Sequence, residues 1–370
     1  MNYYKIVQGI LDIGEGMLRS GAENFRLEDS FYRMCRSYGF VKSDVFVIPS
    51  NIQVTVETPE GEIITQIRHI ESSEPNFDQL DYLNNLCRYV CQHTPDENEM
   101  REKYLEVINR EPQKRITRYA AGIMGGTGFA VFFGCNLWDA VIAFIVSVMI
   151  VAVGDWLAKR ESNLLVYNGI LAFISEVIII GALKMGIADH PDRIMIGIVM
   201  LLISGLSTTN GIRDLLQRDF ISGFINIMNS FLGAAGIAFG IGLAIILFHE
   251  GYSDHFILNH SVPIQLLSCT VACTGFALWF KIRGKQVWYN SIGAFFTWAI
   301  YVAVYAVKPS NFLATMIAAG FVGFYAFIMS RVNKAPFNHL FDCIGIPADP
   351  RTESVLCNVR VCQPGSADGF

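Results

Sequence analysis

Two carboxyl groups lie within apolar stretches of this sequence that are long enough to cross a membrane. Glu176 is flanked by Phe, Ile and Val, and Asp155 lies near the end of the preceding stretch, one helical turn before Lys159. Ionisable residues at membrane depth are costly and usually face the bundle interior or a water-filled path. Burial favours the neutral form of a carboxyl group, which suits Glu176 to proton coupling. The structural alternatives are a hydrogen bond from Glu176 to a neighbouring helix and an Asp155–Lys159 pair.

A polar segment ends the fourth apolar stretch. It contains Thr208, Thr209 and Asn210, and Arg213 and Asp214 follow within one helical turn. Hydroxyls, an amide and a glycine at the end of a span suit an interrupted helix whose exposed backbone binds a polar ligand. They equally suit an ordinary helix end. The segment is therefore a candidate part of a substrate path.

The next apolar stretch carries a polar stripe. Ser222, Asn226 and Asn229 recur at i, i+4 and i+7, which places them on one helix face. Glycines continue this stripe at positions 233, 236 and 240. Small residues promote close helix contacts in membranes, so the glycines favour a packing seam. For the two asparagines, a packing seam and a lined substrate path remain open.

The elements that position these residues are mostly membrane helices. The 370 residues are 52% hydrophobic and 16% charged, whereas soluble domains carry about 25% charged residues. Eight stretches approach the roughly 20 residues that a spanning helix needs. They are residues 116–133, 137–157, 164–183, 193–209, 221–248, 262–280, 287–307 and 311–329. The sequence therefore predicts an α-helical polytopic membrane protein with about eight transmembrane helices.

A polar, charge-rich region precedes these stretches. Apolar residues recur at helical spacing in 1–18 and 23–38, and they alternate with polar residues in 52–57, as in a half-buried strand. This pattern predicts a small N-terminal α+β domain. The predicted organisation is an α+β domain at 1–111, a first transmembrane half at 112–250, a shorter second half at 260–335 and a polar tail at 336–370.

Charge predicts the orientation and excludes several partners. If the N-terminal domain is cytoplasmic, the loops on its side contain nine Lys and Arg and the opposite loops contain three, which obeys the positive-inside rule. A net charge of −5 with no basic patch predicts no nucleic-acid partner. Nine cysteines without metal-ligand spacing predict no metal site, and no cofactor is expected. The lipid bilayer is the predicted partner, and a homo-oligomer is among the arrangements left open.

An N-terminal motif groups charged residues at the start of the second predicted helix. Residues 21–28 read Gly-Ala-Glu-Asn-Phe-Arg-Leu-Glu, which resembles the signature G-A-x-x-x-R-x-E that opens the threonine/serine exporter family. Gly21, Arg26 and Glu28 match this signature, and Glu23 lies within it. Arg26 beside these carboxylates is either a structural clamp or part of a hydrolase-like or gating site.

The polar segment described above carries a second likeness to the same family. Residues 208–214 read Thr-Thr-Asn-Gly-Ile-Arg-Asp, and Ser-Gly follows at 222–223. This run resembles the family's segment between its fourth and fifth spans. The order of a soluble domain, five spans, a polar break and a second hydrophobic half is similar too. The resemblance covers roughly residues 5–335.

The resemblance implies a function and a location. Members of the family are secondary exporters of small polar amino acids of the threonine/serine type, driven by the proton gradient. It implies such a substrate here, the proton as coupling ion, and a multi-pass protein in the cell (inner) membrane with a cytoplasmic N-terminus. It also implies a transporter and not an enzyme.

Two other functions stay open at this stage. The chain could be a membrane-anchored, hydrolase-like enzyme or a ligand sensor that acts through its N-terminal domain. Against the enzyme, that domain contains no G-x-S-x-G, H-E-x-x-H or P-loop pattern. Against the sensor, eight spans with intramembrane Glu and Asn exceed what an anchor requires.

The resemblance to the family ends after Pro336. The family continues with two more hydrophobic segments, the first of which carries P-L-x-P-G, whereas the tail at 336–370 is too polar to span a bilayer. Back-translating residues 337–356 and reading one nucleotide later gives STIFLTASVFPLIPGPSLY, which is apolar and contains the missing pattern. We hypothesise that a one-base shift near codon 337 produced the tail. Resequencing that finds no extra or missing base would contradict this hypothesis.

Overall fold

The computed structural model describes residues 2–71, 74–161, 163–203, 205–248 and 261–333. These residues form thirteen α-helices and three β-strands, so the chain is mostly helical. The predicted polar tail at 336–370 lies outside the described residues.

The first seven elements pack together as an α+β unit, called the N-terminal unit below (residues 3–108). The elements are α1 (Tyr3–Arg19), α2 (Asn24–Ser37), β1 (Lys42–Ile48), β2 (Asn51–Glu57), β3 (Ile63–His69), α3 (Phe77–His93) and α4 (Glu97–Ile108). The strands form an antiparallel sheet in the order β1-β2-β3, in which Val54 pairs with Val45 on one side and with Gln66 on the other.

The core of this unit follows from the periodicities of its sequence. Helix α1 buries Ile6, Ile10 and Ile13 completely, which is the face that helical spacing predicts. A side chain at Gly14 would collide with the ring of Phe31, so this glycine lets α2 pack closely on α1. The sheet buries alternate residues of β2 in the same core, among them Val54.

Nine further helices form the bundle. They are α5 (Arg115–Phe132), α6 (Leu137–Leu157), α7 (Leu164–Lys184), α8 (Pro191–Leu202), α9 (Gly205–Leu216), α10 (Phe220–Phe248), α11 (Val262–Trp279), α12 (Lys285–Val307) and α13 (Asn311–Asn333). Among the described residues, six helices are long and apolar enough to cross a membrane, namely α6, α7, α10, α11, α12 and α13. The pair α8–α9 makes a seventh candidate if it is one span.

The predicted fourth span at 193–209 is not one straight helix. Helix α8 ends before Ile203, whose backbone is extended, and α9 continues at an angle of 57° to α8. The polar residues at 208–210 therefore lie inside α9 and do not close a span. The sequence at the bend contains the pair Ser204-Gly205, which is typical of helix kinks, but two residues do not lower the hydropathy of the apolar stretch enough to divide it.

The predicted first span at 116–133 forms α5, but α5 is not among the six apolar helices. Arg115 and Arg118 in its first turn lower its hydropathy most, and its glycines, which add little apolar character, allow neighbouring helices to approach. A Cβ atom at Gly128 would lie 2.9 Å from the backbone nitrogen of Ala272 on α11. Likewise, a Cβ atom at Gly197 of α8 would lie 2.5 Å from the backbone nitrogen of Ala130. Helix α5 is thus surrounded by α6, α8 and α11 and needs little apolar surface for lipid.

Contacts at the helix ends define two faces of the bundle. On the near face, beside the N-terminal unit, the backbone nitrogen of Phe77 donates to the carbonyl oxygen of Phe280, and the hydroxyl group of Ser222 donates to the carbonyl oxygen of Val47. On the far face, Lys184 at the end of α7 donates to the carbonyl oxygen of Phe248 at the end of α10. These contacts place the ends of α9 and α11 on the near face and the start of α8 on the far face.

Candidate functional site

The two sequence motifs meet on the near face, although almost 190 residues separate them along the chain. Glu23 is the N-cap residue of α2, and its carboxylate is almost fully buried. Its Oε1 atom lies 2.7 Å from a terminal nitrogen of Arg213 on α9 and 3.4 Å from Nε of Arg26. One carboxylate therefore faces two guanidinium groups, one from each motif. Arg26, predicted beside Glu23 and Glu28, pairs with Glu23 in the structure.

A hydrogen-bonded triad lies beside this ion pair. The side-chain amide of Asn24 donates to Oδ2 of Asp214 over 3.3 Å, and the amide of Asn226 on α10 donates to the same oxygen over 3.1 Å. Asp214 is 3% exposed. Hydrogen bonds to a charged acceptor are stronger than neutral ones. The triad therefore connects α2, α9 and α10 at a single buried carboxylate.

Two glycines explain how α9 and α10 come this close. A Cβ atom at Gly211 would lie 3.0 Å from the carbonyl oxygen of Gly223, and one at Gly223 would lie 2.9 Å from the carbonyl oxygen of Gly211. Any larger side chain at either position would move the helices apart. The glycines of the second motif thus bring Asn226 within reach of Asp214.

Glu28 joins the same region through backbone contacts. Its carboxylate accepts a hydrogen bond from the backbone nitrogen of Val47 over 3.2 Å, and Ser222 donates to the carbonyl oxygen of that residue over 3.4 Å. Burial raises the pKa of Glu28, the hydrogen bond from Val47 opposes this rise, and the negative charge of Asp219 adds to it. Glu28 therefore ties β1 to α2 at the point where α10 begins.

We call the set Glu23, Asn24, Arg213, Asp214 and Asn226 the near-face cluster. The sequence motifs predicted Glu23, Arg213, Asp214 and Asn226 as candidates. They missed Asn24, which occupies an unspecified position of the N-terminal motif. A short amide next to a capping carboxylate was the only signal for it, and many surface helices start in that way.

Several predicted candidates lie outside the cluster. Thr209 donates its hydroxyl back to the carbonyl oxygen of Gly205 within α9, and Thr208 is half-buried on the same helix. Oδ1 of Asn210 is buried without a hydrogen-bond partner among the described residues. Asn229 is exposed on α10. Sequence spacing grouped the two threonines and the two asparagines with Arg213 and Asn226. In the structure, none of the four contacts the near-face cluster through a hydrogen bond given above.

Glu176 lies deep in the bundle, apart from the near-face cluster. Only 1% of the residue is exposed, and Oε1 has no hydrogen-bond partner within the described part of the chain. One turn earlier on α7, Ala172 packs on Gly240 of α10, where an added Cβ atom would lie 3.1 Å from the Ala172 Cβ atom. The amide of Asn168 donates to the carbonyl oxygen of Gly233 over 3.3 Å. The glycines of α10 thus form a packing seam, as their spacing favoured.

Asp155 has a different partner from the one that its spacing indicated. Its Oδ1 atom lies 2.7 Å from a terminal nitrogen of Arg118 on α5. The predicted partner, Lys159, is exposed beyond the end of α6. Asp155 therefore links two helices on the near face. No group of three or more His, Cys, Asp or Glu residues in the described ranges could hold a metal ion.

Comparison with known proteins gives one consistent family. The family model for threonine/serine exporters matches residues 8–248, and a second model, "Threonine/Serine exporter, ThrE", matches residues 265–347. The second match continues past Pro336, so the departure predicted there is placed too early. A threonine/serine exporter from Corynebacterium glutamicum is 24% identical over 245 residues, which are 64% of this chain and 50% of that protein. The chain thus spans about half the length of this curated relative. No solved structure matches the chain.

Proposed function

Since this chain belongs to the threonine/serine exporter family, we propose that it exports small polar amino acids of the threonine/serine type through its helix bundle. The observation that carries the proposal is the contact between the two motifs, in which Glu23 of the N-terminal unit faces Arg213 of the broken pair α8–α9 at 2.7 Å. A contact between a soluble unit and a bent membrane helix is suited to controlling access to a path.

The chemistry of the near-face cluster fits the ends of a free amino acid. A zwitterion carries one carboxylate and one ammonium group. Its carboxylate can replace Glu23 at the guanidinium group of Arg213, and its ammonium group can replace the amides at Asp214. In the present arrangement, the cluster satisfies these groups internally, so the path is closed on the near face. Breaking a half-buried ion pair is costly unless another ion replaces it, which makes the substrate itself the opening ligand.

Proton coupling is the second part of the proposal, and Glu176 is the proposed coupling group. A buried carboxyl group without a hydrogen-bond partner among the described residues can exchange a proton without breaking a local network. Its helix, α7, packs on α10 and on α8, the first helix of the broken pair. The remaining path candidates are Thr208, Thr209 and Asn210 on α9 and Asn229 on α10.

We further propose that the membrane portion has eight spans. The six apolar helices and the pair α8–α9 provide seven, and α5 crosses as the eighth inside a protein environment. The proposed divisions are a cytoplasmic domain at 1–111, a first half at 112–250 and a second half at 260–335. The Lys and Arg residues of the near-face loops support a cytoplasmic near face in the cell membrane.

Efflux of labelled threonine and serine from loaded cells tests the proposal. We expect faster efflux with this chain than with an empty vector, and a loss of about tenfold or more in the Arg213→Gln variant, because that variant removes the nearer cation of the buried Glu23 carboxylate and leaves it only the more exposed Arg26. Arg33→Gln is the matched control, since Arg33 forms an exposed pair with Asp29 on α2. If the wild-type chain inserts in the membrane and moves neither amino acid, the proposed substrate class is wrong.

A further inference from the structure

A second polar cluster holds the opposite end of the broken pair, and the proposed function does not use it. At the start of α6, Asn136 and Asp139 form a reciprocal capping box, in which the backbone nitrogen of Asp139 donates to the side chain of Asn136 over 2.9 Å. The Asp139 carboxylate accepts from the backbone nitrogen of Asn136 over 3.2 Å. Asp139 is fully buried on the far face.

The same carboxylate also caps the start of α8. Oδ1 of Asp139 accepts hydrogen bonds from the backbone nitrogens of Asp189 and His190, at 2.9 Å and 3.3 Å. Oδ2 lies 2.9 Å from Nδ1 of His190, the N-cap residue of α8. One buried carboxylate thus joins the starts of α6 and α8. The N-terminal ends of both helices favour a negative charge at this point.

Of the Asp139–His190 pair, the imidazole ring is the part that meets solvent. The His190 side chain is 38% exposed, whereas that of Asp139 is 0% exposed. With Nδ1 directed at Asp139, Nε2 is left to take up a proton from water. Histidine is the side chain whose ordinary pKa, about 6.5, lies within the physiological pH range.

The charged groups near the pair have their own contacts. Asp189 accepts a hydrogen bond from the side chain of Asn136, and Arg193 donates to the carbonyl oxygen of Gly134. Lys184, at the end of α7, donates to Phe248. Asp192 lies in the first turn of α8, and Cys135 precedes α6. Apart from Arg193, whose guanidinium group is directed at Gly134, His190 is the group here that can bring a positive charge to Asp139.

We infer that Asp139 and His190 form the proton-binding gate of the far face. This inference rests on the proposed proton-driven export and names the residues that sense the proton outside. When water donates a proton to Nε2, the ring becomes an imidazolium ion and holds the Asp139 carboxylate more strongly than the neutral ring does. The O–H bond of the donating water breaks as the N–H bond forms, hydroxide is left in the solvent, and no other covalent bond changes. Loss of the proton weakens the connection between the starts of α6 and α8.

The location of the gate explains how the proton would act on the substrate path. Helix α8 continues through the bend into α9, whose other end carries Arg213 and Asp214. The pair α8–α9 is therefore fixed at the far end by Asp139 and at the near end by Glu23 and Asn24. Protonation of His190 strengthens the Asp139–His190 contact at the far end. It therefore changes the strength of that contact relative to the contacts of Glu23 and Asn24 at the near end.

The first test does not depend on transport. His190→Gln keeps an amide donor for Asp139 but cannot become charged. In purified protein, we compare the melting temperatures of the wild type and the variant at about pH 8 and about pH 5.5. We expect the amount by which the variant lies below the wild type to be ~2–4 °C larger at the lower pH. His69→Gln, on the exposed side of β3, is the control and should show no such change. A wild-type–variant difference that is constant with pH overturns the inference, whether or not the chain transports.

The second test uses export from cells at different external pH. We expect the wild-type threonine efflux rate to change by about threefold between external pH 5.5 and 7.5, and His190→Gln to reduce this change to less than about 1.5-fold. His69→Gln should keep the wild-type profile. A wild-type profile in the His190→Gln variant overturns the inference and leaves the proposed export intact. Absence of efflux from the wild type overturns the proposed function, and the inferred gate then fails with it.

Discussion

The near and far ends of the pair α8–α9 are both fixed by buried carboxylates, but their cationic partners differ. At the near end, Glu23 faces Arg213, whose guanidinium group stays charged at every physiological pH. At the far end, Asp139 faces His190, whose imidazole ring is the proton-binding group that we infer for that face. In the inferred arrangement, a proton from the far side acts through the His190 ring at the far end, whereas the Glu23–Arg213 contact at the near end keeps its cation. A substrate that carries opposite charges can act on the near end.

Charge reversal at the near end should have the largest effect. Arg213→Glu would place two carboxylates together, and we expect threonine efflux to fall by about a hundredfold because a buried like-charge contact replaces an ion pair. Combining it with Glu23→Arg restores opposite charges and should recover at least about a tenth of the wild-type rate. Efflux assays on both variants measure this. No recovery in the double variant would show that the contact is not the functional interaction.

Glu176 lies in the bundle, apart from both ends of the pair α8–α9. We expect its substitution to abolish proton coupling and to leave the Glu23–Arg213 and Asp139–His190 contacts in place. Glu176→Gln fixes the residue in a form like the protonated one. We expect concentrative efflux to fall by more than about tenfold, while exchange of threonine across the membrane continues. Ser175→Ala is the matched control, because Ser175 is the adjacent buried residue and is not ionisable. Loss of exchange together with concentrative efflux would assign Glu176 to packing or substrate binding.

Separating α9 from α10 should weaken the near end by a smaller amount. In Gly223→Ala, the new methyl group would lie 2.7 Å from a side-chain carbon of Leu215 and 2.9 Å from the carbonyl oxygen of Gly211. We expect a loss of stability of roughly 1–3 kcal/mol, which is typical of overpacking. Thermal unfolding in detergent measures it. Gly242→Ala on the same helix, with no atom within 4 Å, is the control, and an equal loss there would contradict the close-packing argument.

The smallest expected effect concerns Glu28, which titrates beside the near end. Its pKa in the folded protein is raised by burial, so the folded state binds this proton more tightly than the unfolded state does. The carboxyl group therefore contributes most stability at low pH, and this contribution is lost as the pH rises through the folded pKa. Glu28→Gln should gain melting temperature relative to the wild type between about pH 5 and pH 8.

The same variant sharpens the contrast between the two ends. Glu28→Gln should leave the dependence of threonine efflux on external pH unchanged, because Glu28 lies on the near face. Asp29→Asn, an exposed change on the same helix, is the control for the melting curve. An altered efflux profile in Glu28→Gln would mean that the near end also senses the proton.

The sequence predicted the near-face cluster better than the helices that carry it. Glu23 was named by the resemblance of residues 21–28 to the family signature, whereas Arg213 and Asp214 were named because polar and charged residues at the end of an apolar stretch stand out. The contact between the motifs could not be predicted, since no local pattern reports a distance between residues that lie almost 190 positions apart. Asn24 was missed for the same reason, because its role is set entirely by the position of Asp214.

The sequence predicted the helix α5 as a span, but the structure does not class it with the six apolar helices. Its glycines pack against three neighbouring helices, so its surroundings are mostly protein, which a hydropathy pattern does not report. The bend between α8 and α9 was equally hidden, because an apolar stretch reads the same whether it is straight or broken. Asp155 pairs with Arg118 and not with Lys159, since a partner on an adjacent helix is as close as one turn along its own.

The most direct test of proton-driven export uses the purified chain in liposomes loaded with labelled threonine. Release is followed with no pH gradient and with an acidic exterior about 1.5 units below the interior. The account predicts that the acidic exterior accelerates release from wild-type liposomes by about threefold or more and that Glu176→Gln liposomes do not respond. Equal release under both conditions, with the protein folded and inserted, would contradict proton coupling and with it the different roles of the two ends.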